Sequence, residues 1–186
     1  MILLLAGASH SGKTLLAQKL MQQHGISHIS IDHIKMGLIR SGQTQLTPMD
    51  DDKLTDYLWP ILREMVKTAV ENRQSFILEG CYIPFGWQAD FAPQYLEHIR
   101  YCCLILSKNY IEQHSDAIRA YACAAEQRLD DSGLDLQQLI AENEQNLAAC
   151  KAHGLPYILI EDEYNPQLPF ALRTGEEETK GGYQQW

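Results

Sequence analysis

Positive charge is scarce in this chain: 15 lysines and arginines stand against 24 aspartates and glutamates, a formal net charge of −9. A broad nucleic-acid surface needs clustered Lys and Arg, so no nucleic-acid partner is expected, although a local basic pocket for phosphates stays compatible. Cysteine is also sparse. Its five copies, Cys81, Cys102, Cys103, Cys123 and Cys150, include no C-x-x-C pair. An odd count without a secretory context points to reduced thiols, mostly core filler, in a cytoplasmic protein. Nothing resembles a membrane span, and no membrane partner is expected. The start, Met1-Ile2-Leu3-Leu4-Leu5, lacks the basic region and the small-residue cleavage site of a signal peptide. No internal repeat is evident. What remains is ordinary for a soluble globular protein: 186 residues, 45% hydrophobic and 21% charged, suited to one α/β domain with a substantial core.

Against this background one segment stands out. Residues 7–14 read Gly-Ala-Ser-His-Ser-Gly-Lys-Thr, a complete G-x-x-x-x-G-K-[ST] phosphate-binding (Walker A) loop, directly after the apolar run Ile2–Ala6. Gly7 and Gly12 let the backbone fold around an anion, so that N–H groups from Ala8, Ser9, His10 and Ser11 onward can point at phosphate. Lys13 can bridge the β- and γ-phosphate oxygens, and the Thr14 hydroxyl can take a Mg²⁺ coordination position. The strand runs into the loop and the loop opens a helix, whose N-terminal dipole favours phosphate. The bland alternative is a chance Gly-rich turn before a helix. Strand, loop and helix in register favour nucleoside triphosphate binding, and the lack of an N-K-x-D segment speaks against guanine specificity.

Five short apolar runs alternate with helical patterns, as expected for βαβ units and a parallel sheet: Ile2–Ala6, Ser27–Ile31, Phe76–Leu78, Tyr101–Leu106 and Tyr157–Ile160. The first helix should run from about Gly12 to His24, capped by a left-handed Gly25. Thr47 and Pro48 read as N-cap and first residue of a helix towards Asn72, kinked at Pro60. Ser107 should cap a helix carrying Ile111, Ile118, Ala122, Ala125 and Leu129, interrupted at residues 130–133. Asp135 with Gln138 marks another helix start, and Gly154 its end. The pattern supports a domain over residues 1–164 and a C-terminal tail over 165–186, docked in part through Phe170 or Trp186.

Chemistry-bearing residues cluster after the strands. Asp32 follows the second run, where the carboxyl ends of strands line a ligand crevice; it could take a proton from an attacking hydroxyl, or simply cap the next helix. Lys35 and Arg40 follow on a helix and could reach an anionic substrate or remain solvated. Glu79 would sit near Thr14 and Mg²⁺, usually through water, and Gly80 would let a substrate approach the backbone; the alternative is a strand ending in a turn. Tyr82 and Trp87 could wall an acceptor pocket or pack against Tyr57 and Trp59. Arg119 and Arg128 could carry cationic charge to a transferring phosphoryl group or be surface charges paired along a helix. Asn143 interrupts an apolar stripe, as a polar contact at a lid or a helix-edge residue.

GASHSGKT, Asp32, Leu78-Glu79-Gly80 and the later arginines occur in the order seen in the adenylate-kinase-like group of small-molecule P-loop kinases, which the chain resembles over about residues 1–162. The resemblance implies a three-layer α/β P-loop NTPase fold, with a five-stranded parallel sheet ordered 2-3-1-4-5 and helices on both faces. It further implies an acceptor-binding region around 33–72 and a helical lid around 115–135. Lys13 and Thr14 match the ATP and Mg²⁺ positions, and Asp32 matches the acidic residue beside the acceptor hydroxyl in many sugar, nucleoside and zeta-toxin-type kinases. Arg119 or Arg128 falls in the lid region. Two departures narrow the acceptor. Arg40 lies eight residues past Asp32, further than the arginine of nucleoside monophosphate kinases, and Ile34 stands where shikimate kinases carry a second Asp. The expectation is a monomeric or homodimeric kinase passing the ATP γ-phosphoryl group to a small metabolite, most readily its hydroxyl. The alternatives are a kinase of a nucleotide or phosphorylated metabolite, and a nucleotide-binding regulatory module with slow hydrolysis.

Overall fold

The computed structural model describes residues 1–122 and 135–172. Cys123, Arg128, residues 130–133 and Trp186 lie outside the described residues. Five parallel strands form one sheet in the order β2-β3-β1-β4-β5. In chain order these are β1 (Ile2–Gly7), β2 (Ser27–Ser30), β3 (Phe76–Gly80), β4 (Ile99–Leu106) and β5 (Tyr157–Ile160). Between them run α1 (Lys13–His24), α2 (Ile31–Arg40), α3 (Asp51–Glu71), a short α4 (Pro93–Leu96), α5 (Lys108–Gln113), α6 (Ser115–Ala122) and α7 (Leu136–His153). This is the doubly wound P-loop architecture with its 2-3-1-4-5 order.

Near-continuous apolar strands follow from burial on both faces. Because alternate side chains point to opposite faces, Ile2, Leu4 and Ala6 enter one core while Leu3 and Leu5 enter the other. The first core is closed by α3, whose Leu54, Leu58, Leu62, Val66 and Ala69 recur at helical spacing and are all buried. The second takes Leu16, Ala17 and Leu20 from α1 and Leu139 and Ile140 from α7. Register aligns the carboxyl ends: Ala6 lies opposite Gly80 on one side and Cys103 on the other, and Ser30 lies opposite Glu79. The residues that follow β1, β2 and β3 therefore emerge along one edge, where α/β sheets hold their ligands.

Some boundaries differ from the sequence reading. The turn at Thr47 does not open α3. The Asp50 carboxylate accepts bonds from both the Thr47 amide and its hydroxyl, Asp50 N–H returns to the Thr47 carbonyl, and the helix begins at Asp51. The helix continues through Pro60, whose ring lies on the exposed side. β2 ends at Ser30, so Asp32 is the second residue of α2 rather than a strand end or a cap. The helix started by Ser107 stops at Gln113: His114 stacks on Tyr110 at 4.2 Å, and a new helix begins at Ser115. The first cap residues, by contrast, lie where the pattern put them, with Gly25 (φ 67°) and Gly154 (φ 61°) left-handed and Asp135 accepting from the amides of Gln137 and Gln138. Beyond β5, Leu168, Phe170 and Leu172 pack against the second core.

Asn143 is neither a lid contact nor a helix-edge residue. It is 1% exposed; its Oδ1 accepts from the Leu106 amide at 2.8 Å and its Nδ2 donates to the Leu139 carbonyl at 2.8 Å. One amide thus ties the end of β4 to α7. Asn143→Ala leaves the Leu106 N–H buried without its partner and is expected to lower unfolding free energy by about 1–3 kcal/mol. Urea denaturation measures this, and a loss below about 0.5 kcal/mol, the size of an ordinary surface substitution, would contradict it.

Candidate active site

β1 delivers the chain into the loop at Gly7, and two positions there admit no side chain. A Cβ on Gly7 would lie 2.5 Å from the Leu104 carbonyl oxygen; on Gly12 (φ 87°) it would lie 2.2 Å from the Tyr164 hydroxyl. His10 takes a left-handed conformation without being glycine (φ 59°), a cost that concentrates at functional loops. Ser11 is 1% exposed, and its hydroxyl has no hydrogen-bond partner among the described residues. A glycine-lined cradle with a buried, unsatisfied hydroxyl suits an anion with several acceptor oxygens.

Lys13 opens α1 and is buried. Its Nζ donates to the Ala8 carbonyl at 2.7 Å and lies 3.5 Å from the Cys81 Sγ. Neither is a carboxylate, and no ion pair to Lys13 occurs among the described residues. A buried ammonium bonded to neutral acceptors is electrostatically matched by an anion, and the cradle beside it is built for phosphate. The neighbouring Thr14 hydroxyl donates to Glu79 Oε1 at 3.1 Å, with Glu79 1% exposed at the end of β3. A hard cation that keeps several waters needs one or two such oxygens, so the pair fits Mg²⁺ held by Thr14 and, through water, by Glu79. Among the described residues no group of three or more His, Cys, Asp or Glu side chains could hold a metal on its own.

A second cluster adjoins the first through Cys81 and Tyr82. Asp32 forms an ion pair with Lys35 one turn further along α2. Lys35 Nζ also donates to the Tyr82 hydroxyl at 3.1 Å and sits 5.0 Å from the centre of the Tyr82 ring. The Tyr82 hydroxyl in turn donates to Asp51 Oδ1 at 2.6 Å, at the start of α3. Burial, and then the hydrogen bond to Asp51, push the Tyr82 phenol well above its ordinary pKa. The two aromatics of this loop have separate fates. Tyr82 joins the polar cluster, while Trp87 packs in the core against Phe91 and Tyr101 beside Trp59.

Other residues singled out from sequence fall elsewhere. The space over Gly80 is taken by Ile31, whose side-chain atoms would lie 2.8 Å from a Cβ there, so its lack of a side chain serves the packing of α2 onto β3. Arg40 and Arg119 are exposed, and no hydrogen bond or ion pair joins either to the two clusters among the described residues. Arg128 lies outside them. Three participants were not foreseen. Cys81 directly follows Glu79-Gly80 and reaches both Lys13 and, at 3.7 Å, the Ser9 hydroxyl. Asp51 sits about thirty positions before Tyr82 and becomes its neighbour only through the fold. Tyr164, after β5, donates its hydroxyl to the Gly12 carbonyl at 2.8 Å and covers the loop from the far side; burial raises its phenol pKa.

Residues 2–99, just over half of the chain, match the family model described as AAA domain. The chain belongs to the AAA domain family. The match takes in the phosphate loop, Asp32, Glu79 and Tyr82, and with the 2-3-1-4-5 sheet it places the protein among P-loop kinase-like folds. No curated protein matches it. Solved structures to which it is similar include a sugar kinase from Janibacter sp. (17% identity, 82% of this chain and 96% of the other, TM-score 0.39). A Chloroflexus aurantiacus protein provisionally named a kinase shows 16% identity over 76% of this chain and 78% of its own, TM-score 0.49. A chain of the Pnkp1/Rnl/Hen1 RNA repair complex shows 16% identity, TM-score 0.49, with 79% of this chain covering 45% of that one. At such identity and overlap none of these names carries over to this AAA-domain protein. Among the described residues no helix is long and apolar enough to cross a membrane.

The geometry makes Cys81 a reporter of the phosphate loop. It is exposed, whereas Cys102, Cys103 and Cys150 are buried, and burial pushes the Cys102 thiol up to about 12. Iodoacetamide should therefore label Cys81 first among these four, and saturating MgATP should slow that labelling at least about tenfold by covering Lys13 and the loop. Peptide mapping by mass spectrometry reads both effects. Labelling indifferent to MgATP would contradict placing the triphosphate at this loop.

Proposed function

We propose that the protein is an ATP- and Mg²⁺-dependent kinase that transfers the γ-phosphoryl group to a hydroxyl of a small metabolite. One observation supports this above the others: the buried Lys13 ammonium and the Asp32 carboxylate belong to adjoining clusters at one sheet edge, linked through Cys81-Tyr82 and Lys35. Phosphoryl transfer is mostly positioning and charge stabilisation, and this edge offers both. The loop amides and Ser11 cradle phosphate, and Lys13 holds the oxygens that gain charge as the bond to the leaving group lengthens. Mg²⁺, when bound by Thr14 and through water by Glu79, supplies further charge neutralisation. Asp32, within the first turn of α2 and held by Lys35, orients the acceptor hydroxyl and receives its proton as the new O–P bond forms.

An arginine from the 115–135 segment, Arg119 or Arg128, remains part of this proposal as a cation delivered when the segment closes over ATP. The region around 33–72 would receive the acceptor, and the active form is a cytoplasmic monomer or homodimer. A reading as a regulator with slow hydrolysis separates cleanly: a kinase forms ADP much faster when its acceptor is supplied.

Two substitutions test the assignment. Lys13→Ala should lower phosphoryl transfer by about 10²–10³-fold or more with the fold intact, because a preorganised cation at developing charge is lost. Near-normal turnover by a folded Lys13→Ala enzyme would remove the phosphate-loop argument. Asp32→Asn keeps the shape and the hydrogen-bonding reach but cannot take a proton; kcat should fall by about 10²–10⁴-fold while the KM for ATP changes little. An unchanged kcat at unchanged stability would assign the proton to another group.

A further inference from the structure

The segment after β5 bears on how the phosphate loop is held. We infer that Tyr164 is a positioning residue of the nucleotide site: through the Gly12 carbonyl it sets the peptide whose N–H, that of Lys13, meets the triphosphate, and residues 164–172 form the strap that keeps it there. The inference deepens the kinase reading and rests only on that reading's triphosphate site. Along the strap alternate residues turn inward: Tyr164, Pro166, Leu168, Phe170 and Leu172 are buried or half-buried, whereas Asn165, Gln167, Pro169 and Ala171 are exposed. This is the period of an extended chain, although the stretch belongs to no strand of the sheet. Leu168, Phe170 and Leu172 pack with Tyr164 against the second core, so the strap is anchored along its length and its first anchor is the loop itself.

Gly12 is where the strap meets the chemistry. Its carbonyl accepts two bonds, from the Leu16 amide at 3.0 Å and from the Tyr164 hydroxyl at 2.8 Å, which uses both lone pairs of the oxygen. A trans peptide is planar, so its C=O and N–H point in opposite directions. Holding the Gly12 oxygen towards Tyr164 and the body of α1 therefore turns the Lys13 N–H the other way, to the N-terminal end of the helix. Gly12 brings no side chain to cap that end, and as a left-handed glycine (φ 87°) it is the loosest link of the loop. The Leu16 bond restrains this peptide from within α1; Tyr164 restrains it from outside. A Cβ on Gly12 would collide with the Tyr164 hydroxyl, so the glycine and the tyrosine are fitted to each other. Burial raises the phenol's pKa, and the hydroxyl stays a donor. The residue before Gly12 is Ser11, whose buried hydroxyl has no hydrogen-bond partner among the described residues. The strap thus braces the part of the loop with hydrogen-bonding capacity still to spend on phosphate.

Tyr164→Phe tests this, because it keeps the ring in the strap and removes only the hydroxyl. Calorimetry with magnesium tripolyphosphate and with a non-hydrolysable MgATP analogue should show both bound about three- to tenfold more weakly, the worth of one hydrogen bond. Thermal unfolding checks that the variant is folded at the assay temperature. A purely structural role would lower the melting temperature and leave both affinities unchanged, and that result overturns the inference. A loss confined to the MgATP analogue would place Tyr164 against the base or sugar and overturns it equally. Phe170→Ala loosens the strap away from the loop, with Phe170→Leu as the milder variant should the first not fold. Either should weaken tripolyphosphate in the wild-type background, but by less than about twofold more once Tyr164→Phe is present, because the strap acts through the lost bond. Full additivity of the two changes, or no effect of loosening the strap, overturns its role. Wild-type protein that does not bind tripolyphosphate also overturns the inference. Binding without acceptor-stimulated ADP formation refutes the kinase reading alone, and the affinity ratios still decide the inference.

Discussion

Lys13 sets the terms for the rest of the site. An ammonium withdrawn from water needs compensation, and this one is given a carbonyl and a thiol rather than a carboxylate. Its placement depends on the whole sheet. β1 must be central so that the loop emerges between β3 and β4, and Gly7 must be glycine because the Leu104 carbonyl lies where a Cβ would be. Tyr164 reaches back from beyond β5 to the Gly12 carbonyl, which also accepts the Leu16 amide of α1. The chain's later part thereby fixes the loop formed by its earliest part.

The carboxylates are kept apart from that ammonium by the same geometry. Glu79 turns to Thr14, Asp32 to Lys35 and Asp51 to Tyr82. Each has a different partner, and none forms an ion pair with Lys13 among the described residues. Cys81 is the joint between the two halves, touching Ser9 and Lys13 while its neighbour Tyr82 holds Lys35. The cluster around the phosphate loop and the cluster around Asp32 thus meet at two consecutive residues of one loop.

Much of this was legible in the sequence, and the reasons are local. A strand running into G-x-x-x-x-G-K-[ST] and a helix is a contiguous signal, and Gly25, Ser107, Asp135 and Gly154 act on backbone groups within a few residues. The pairing of Thr14 with Glu79 followed from the strand end on which Glu79 sits. Long-range partners were not legible. Nothing near Asp51 announces Tyr82, and nothing near Tyr164 announces Gly12, because those contacts exist only once α3 and the segment after β5 have packed. Asn143 looked like an interruption of an apolar stripe for the same reason: its use lies in the Leu106 amide, on another element. The helix break at His114 escaped because Ile111 and Ile118 keep helical spacing across it.

The central claim is that phosphate leaves ATP for an acceptor and not for water. Incubation with ATP carrying an isotopic label in its γ-phosphoryl group, across a panel of hydroxylated metabolites, measures this directly by mass spectrometry. The account predicts that one class of acceptor gains the label in step with ADP, with little labelled inorganic phosphate. Label that accumulates as inorganic phosphate at the same rate with every acceptor and with none would contradict it.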